Sequence, residues 1–331
     1  MIYLHCGWPK TGTTSLQAAL LKHRDLLASE GFAYPDAWRL GNDGAHHGLV
    51  DVLSAASESG AALSEFQEAL MAEEAQHVLL SAESITIWLM KDEKCEVLLR
   101  FLHAVREVGP LSCLWTLRRF DDLVHSGCMH ALLVGEPTRS PIDLMRSFQR
   151  NRIFANMPRV EDAVDGNAVY VRYEPSGAHN AELLRTLGLS DDLAGAILSE
   201  MAASPRANAS RSRKQLAAVI GADTLSSRTV VGLDKPSLRK AFASGNFSFE
   251  NDGPCELAGR ETRLELHENA LRLAREHGFE AYQRFFADEQ LGEFPDPARI
   301  DADAITDRDL DSLVEYIESS DAGERSGRAL I

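Results

Sequence analysis

With 331 residues, 44% of them hydrophobic, the chain is long for one compact core, so an α/β domain with large insertions or a helical appendage is expected. The formal net charge of −16 argues against nucleic acid as a partner, because binding a phosphate backbone needs a basic surface. No apolar run is long enough for a membrane span and no signal-peptide core precedes the first strand, so the expected location is cytoplasmic.

Ile2 to His5 reads as a short strand that leads into G-W-P-K-T-G-T-T-S (Gly7 to Ser15) and then a helical pattern from Leu16. Strand, tight Gly/Thr turn and helix start bring uncapped N–H groups and a positive helix end onto one point, which describes a phosphate cradle. The spacing is close to the nucleoside-triphosphate P-loop, G-x-x-x-x-G-K-[ST], with Gly7, Gly12 and Thr14 in place. The lysine is displaced: Lys10 stands inside the loop and Thr13 where a triphosphatase carries its lysine.

Gly31 to Trp38 and the His46-His47 segment read as a loop. His77 to Ser81 is the second strand and Asp92 to Val108 a helix. Cys113 to Leu117 is a third strand, followed by a turn and a helix, and Asn167 to Tyr173 a fourth. Such near-continuous apolar strands alternating with helices predict an α/β fold with a doubly wound, mostly parallel central sheet. Ligands of these sheets bind beyond the carboxyl ends of the strands, where Lys10, Glu83, Arg118 and Tyr173 fall. From about Ser190 the pattern is helical and more polar, clearest at Arg211 to Val219, Glu261 to Phe286 and Asp307 to Ile317. Phe294 to Asp303 is a Pro/Asp-rich loop, and Ser319 to Ile331 should fray. The expected division is residues 1–190 as an α/β core and 191–331 as its helical extension. Five scattered cysteines without C-x-x-C spacing point to neither a disulfide framework nor a zinc site.

P-K-T-G-T-T-S-L (Pro9 to Leu16) resembles the 5′-phosphosulfate-binding loop of sulfotransferases that use 3′-phosphoadenylyl sulfate (PAPS). In that family an arginine closing a central strand and a serine eight residues later hold the nucleotide's 3′-phosphate. Arg118 and Ser126 have that separation, although the family's R-N-P-x-D is replaced here by R-R-F-D-D (Arg118 to Asp122). V-Y-V-R-Y-E (Val169 to Glu174) is similar to the family's R-Y-E segment, in which the tyrosine and glutamate support the fold. R-A-N-A-S-R-S-R-K (Arg206 to Lys214) resembles a loop of bacterial members.

The resemblance implies a PAPS-dependent sulfotransferase, with 3′-phosphoadenosine 5′-phosphate (PAP) as product, no metal, and an acceptor bearing a hydroxyl or amine, carbohydrate being one option. It gives Lys10, Thr11, Gly12, Thr13, Thr14 and Ser15 to the 5′-phosphate. Arg118 and Ser126, with Arg119 as a further cation, go to the rest of the nucleotide. Lys10 is the expected cation on the leaving oxygen, and His47 or Glu83 the base for the acceptor. A nucleoside-triphosphate kinase with an atypical P-loop and a catalytically silent nucleotide-binding module remain the alternatives.

Overall fold

The computed structural model describes residues 1–8, 10–41, 44–134, 152–203, 260–289 and 305–328, with positions 215, 217, 218, 238 and 291. The chain divides into two compact units. The first comprises Met1–Leu123, Ser147–Ser204 and Glu265–Gln290, and the second Val124–Arg146, Pro205–Leu264 and Leu291–Ile331.

The first unit is α/β. Its five strands are β1 (Ile2–His5), β2 (Phe32–Ala33), β3 (His77–Ser81), β4 (Leu111–Leu117) and β5 (Ala168–Arg172), in the order β2-β3-β1-β4-β5 and parallel throughout. The helices along the chain are α1 (Thr13–Lys22), α2 (Arg24–Ser29), α3 (Leu49–Glu58), α4 (Ala61–Met71), α5 (Asp92–Val108), α6 (Phe120–Val134), α7 (Ile153–Ala163), α8 (Ala178–Leu187), α9 (Asp191–Ala203), α10 (Arg260–Glu276), α11 (Glu280–Phe286) and α12 (Asp307–Arg328). A 3₁₀ helix covers Glu83–Met90.

β4 is buried along its whole length, as a central strand of a parallel sheet must be. Register places Leu4 between Leu80 and Cys113, and Tyr3 between Leu79 and Ser112. Alternation along the strands sends Tyr3, Leu79 and Leu114 to the face covered by α1, α2, α8 and α9. There Leu16, Leu20, Leu183, Leu187 and Ile197 close the core. Each such leucine contributes about 1.5–3 kcal/mol by burial. α5 matches its predicted span, with Asp92 and Glu93 in its first turn and Arg106 in its last complementing the helix dipole.

Three expectations need correction. Phe32–Ala33 is an edge strand within the predicted loop, because Phe32 buries its ring between Tyr3 and His77, with ring centroids 6.0 and 4.6 Å away. The single helix Glu261 to Phe286 is two helices, broken at Gly278, whose φ of 75° no helix tolerates. The last helix continues to Arg328 rather than fraying from Ser319. Its start is capped reciprocally: Asp309 Oδ2 accepts from the Thr306 N–H at 3.0 Å and the Asp309 N–H donates to Thr306 Oγ1 at 3.2 Å. Pro9, Arg206 to Lys214, Cys255 and Phe294 to Asp303 lie outside the described residues, and the Arg211 to Val219 helix is described only at 215, 217 and 218.

Because all strands run one way, their carboxyl ends share one edge of the sheet. The connection from β1 leads to β2 beyond β3, whereas that from β4 leads to β5 on the other side. β1 and β4 are therefore the neighbouring strands at which the connections switch sides, the position at which parallel sheets hold ligands.

Candidate active site

After β1 the chain keeps leaning on β4: the Cys6 N–H donates to Leu114 O and the Trp8 N–H to Thr116 O, both at 2.9 Å. Trp8 is fully buried and stacks on Tyr282 with centroids 5.9 Å apart, which anchors the loop's entry. The turn then needs left-handed backbone at Gly7, Lys10 and Gly12, with φ of 32°, 66° and 78°. At Gly7 a Cβ would lie 2.8 Å from Thr13 Cγ2, so no side chain fits. At Lys10 the same conformation stores about 1–3 kcal/mol of strain at the crest of the loop.

The loop's carbonyls are held by side chains from four places. Thr86 Oγ1, on the 3₁₀ helix, donates to Gly7 O at 2.9 Å, and Thr11 Oγ1 donates to Trp8 O at 2.6 Å. Arg118, at the end of β4, donates through Nη1 to Lys10 O at 2.8 Å, and His179 Nε2, on α8, donates to Thr11 O at 3.1 Å. Since a trans peptide points its N–H opposite its carbonyl, pinning Lys10 O and Thr11 O turns the N–H groups of Thr11 and Gly12 to the other side. There they join the first-turn N–H groups of α1, a helix capped by Gly12 without any side-chain hydrogen bond. An anion suits that geometry.

Arg118 is half-buried, its guanidinium lying over the Tyr173 ring at 5.0 Å. Among the described residues no carboxylate pairs with it. Tyr173 packs in turn against His179, with ring centroids 5.0 Å apart, so the R-Y-E segment supports both the arginine and the loop. Arg119, expected as a further cation, is engaged by carboxylates of the protein. Asp121 takes its Nε at 2.6 Å and its Nη2 at 3.1 Å, and Glu289 takes its Nη1 at 3.0 Å. Ser126 lies half-buried on α6 among the residues of the second unit.

Beyond β3, Ser81 organises the second half of the site. Its N–H donates to His46 Nδ1 at 3.0 Å, its carbonyl accepts from the His46 N–H at 2.7 Å, and its hydroxyl meets His5 Nδ1 at 2.8 Å. His46 Nε2 donates to Pro35 O at 3.0 Å, which fixes its tautomer. Burial lowers His46 to about 4 and His5 to about 4, the latter helped by nearby His179, so both are neutral scaffolding at physiological pH. His47 Nδ1 lies 3.2 Å from Ser84 Oγ, and the preceding residue Glu83 accepts at Oε2 from Gln17 Nε2 at 2.6 Å.

The predicted Lys10, Thr11 and Gly12 thus form the loop that Arg118 touches, Thr13, Thr14 and Ser15 are the first turn of α1, and Glu83 and His47 follow the neighbouring strand. Gln17, Thr86 and His179 were not singled out from the sequence. Gln17 and Thr86 carried a faint signal as polar residues within apolar, core-facing runs. Among the described residues no group of three or more His, Cys, Asp or Glu could hold a metal ion, and no helix is long and apolar enough to cross a membrane. The chain matches no protein-family model, no curated protein and no solved structure.

Proposed function

We propose that this protein transfers a sulfuryl group from PAPS to a hydroxyl or amine of an acceptor. The observation that carries the reading is the 2.8 Å hydrogen bond from Arg118 to Lys10 O. It joins, across 108 positions of sequence and at the ends of the adjacent strands β1 and β4, the two segments that resemble the two phosphate sites of PAPS-dependent sulfotransferases. A nucleotide with phosphates at both ends of its ribose asks for two anion sites, and a loop of N–H groups held by an arginine that pairs with no carboxylate among the described residues supports that reading.

In this scheme the first-turn N–H groups and the hydroxyls of Thr14 and Ser15 hold the 5′-phosphate, and Arg118 the 3′-phosphate. Glu83, beside His47, takes the proton of the acceptor hydroxyl as its oxygen bonds to sulfur. The bond from sulfur to the bridging oxygen breaks, and its electron pair stays on the 5′-phosphate of PAP. Lys10 neutralises the charge growing on that oxygen, where a preorganised cation counts most. The lysine does this work, so the scheme asks for no metal. A saccharide, a lipid, a phenol or a small metabolite would each provide a suitable acceptor.

Thermal-shift measurements with PAP, ADP and ATP, with and without magnesium, test the reading. PAP should raise the melting temperature more than ADP in the absence of metal. Equal shifts, or a strict magnesium requirement, would favour a nucleoside-triphosphate enzyme and overturn it.

A further inference from the structure

We propose that Gln17 is a positioning residue that holds the Glu83 carboxylate in register with the loop carrying Lys10. This rests on the sulfuryl-transfer reading. Gln17 lies on α1, whose N-terminus forms the cradle, and is only 1% exposed among Leu16, Ala19 and Leu20. A buried primary amide must place both its hydrogens. Gln17 Nε2 gives one to Glu83 Oε2 at 2.6 Å and the other to Ser81 Oγ at 3.1 Å. The Glu83 oxygen decides the amide's orientation, because a flipped Gln17 would turn its own oxygen on Glu83.

Ser81 is itself immobilised by His46 on its backbone and His5 on its hydroxyl, so the amide is held from the sheet as well as from α1. Gly44 fixes the third side. A Cβ there would fall 2.3 Å from Gln17 O, so the segment leading to His47 rests directly on this turn of α1. One helix therefore carries both the N–H groups for the leaving phosphate and the donor that orients the base. Glu83 is left with Oε1 for the acceptor proton, at a fixed position relative to Lys10.

The test compares Gln17→Leu, which keeps bulk and removes the donors, with Gln17→Glu, which keeps the shape and sets a second carboxylate beside Glu83. PAPS turnover is followed as PAP released, with water as the acceptor where no other is known, and PAP affinity is measured by calorimetry. Gln17→Leu should lower kcat about tenfold while KM for PAPS and Kd for PAP change less than twofold. Gln17→Glu should move the acid limb of the pH–rate profile to higher pH, which a packing defect would not do. Turnover at the unsubstituted rate in Gln17→Leu, or a loss matched by an equal loss of PAP affinity, overturns the positioning role. If Gln17→Leu does not fold, Gln17→Asn takes its place: the amide is kept but shortened, and the same kcat-specific loss is expected. Failure of the unsubstituted chain to bind PAP sinks the sulfuryl-transfer reading itself. PAP binding without PAPS turnover removes the transfer step and Gln17's role together.

Discussion

Arg118 and Arg119 are consecutive residues at the end of the same strand, and their surroundings are built on opposite principles. Arg119 is 11% exposed and saturated by Asp121, Asp122 and Glu289, the last of which also receives Arg172 at 3.0 Å. That cluster is complete within the protein. Arg118 spends one donor on a loop carbonyl and lies over a tyrosine ring, its Nε buried without a partner. The neighbouring loop likewise has its carbonyls occupied by side-chain donors, Arg118 among them, which leaves the N–H groups of Thr11 and Gly12 on the opposite side, and among the described residues no carboxylate balances Arg118. A compensated network holds the fold together; an uncompensated one is stable only because its charge is delocalised or part-solvated, and it gains most from an anion.

Replacing each arginine breaks the comparison most directly. Arg119→Met removes the guanidinium from Asp121, 0% exposed, and leaves the partly buried Glu289 with Arg172, and should cost about 3–5 kcal/mol of stability in chemical denaturation. PAP affinity per folded molecule should hold. Arg118→Ala should do the reverse, weakening PAP by about 2–4 kcal/mol with a small effect on stability. Adenosine 5′-phosphosulfate, which has no 3′-phosphate, should bind almost as before. If calorimetry finds both nucleotides weakened equally, Arg118 is holding the loop through Lys10 O and the contrast between the arginines collapses.

Lys10→Met sharpens the picture on the open side. Turnover of PAPS should drop about a hundredfold or more, with PAP affinity much less affected, because the lysine acts on charge that grows only in the transition state. A variant with normal turnover would make Lys10 a strained loop residue and nothing else.

The smallest effect concerns the neutral histidines beneath the site. Burial holds His46 at about 4, so the folded state resists a proton that the unfolded chain accepts near 6.5. The unfolded state therefore binds more protons between those values, and stability present above pH 6.5 is lost as pH falls toward 4. His46→Asn should flatten the decline by about 1 kcal/mol between pH 6.5 and 5.5, read from denaturation midpoints at each pH. An unchanged slope would mean that His46 is protonated in the fold.

The sequence by itself determined the features that depend on neighbours along the chain. Apolar runs marked β1, β3, β4 and β5, the helical pattern of Asp92 to Val108 marked α5, and the Gly7–Ser15 pattern marked a strand–turn–helix loop, because backbone sterics and N–H geometry act within a few residues. The conformational stop at Gly278 was in principle local too, yet the apolar period on both sides hid it. Tertiary structure alone decided which donors meet which acceptors. Nothing in R-R-F-D-D distinguishes Arg118 from Arg119; Glu289, more than a hundred and fifty positions away, does. Gln17, Thr86 and His179 read as ordinary polar residues until folding brings them to Glu83, Gly7 and Thr11. A hydrogen bond needs a partner within about 3 Å, and only the parallel sheet, by gathering the ends of β1, β3, β4 and β5 on one edge, brings such distant partners that close.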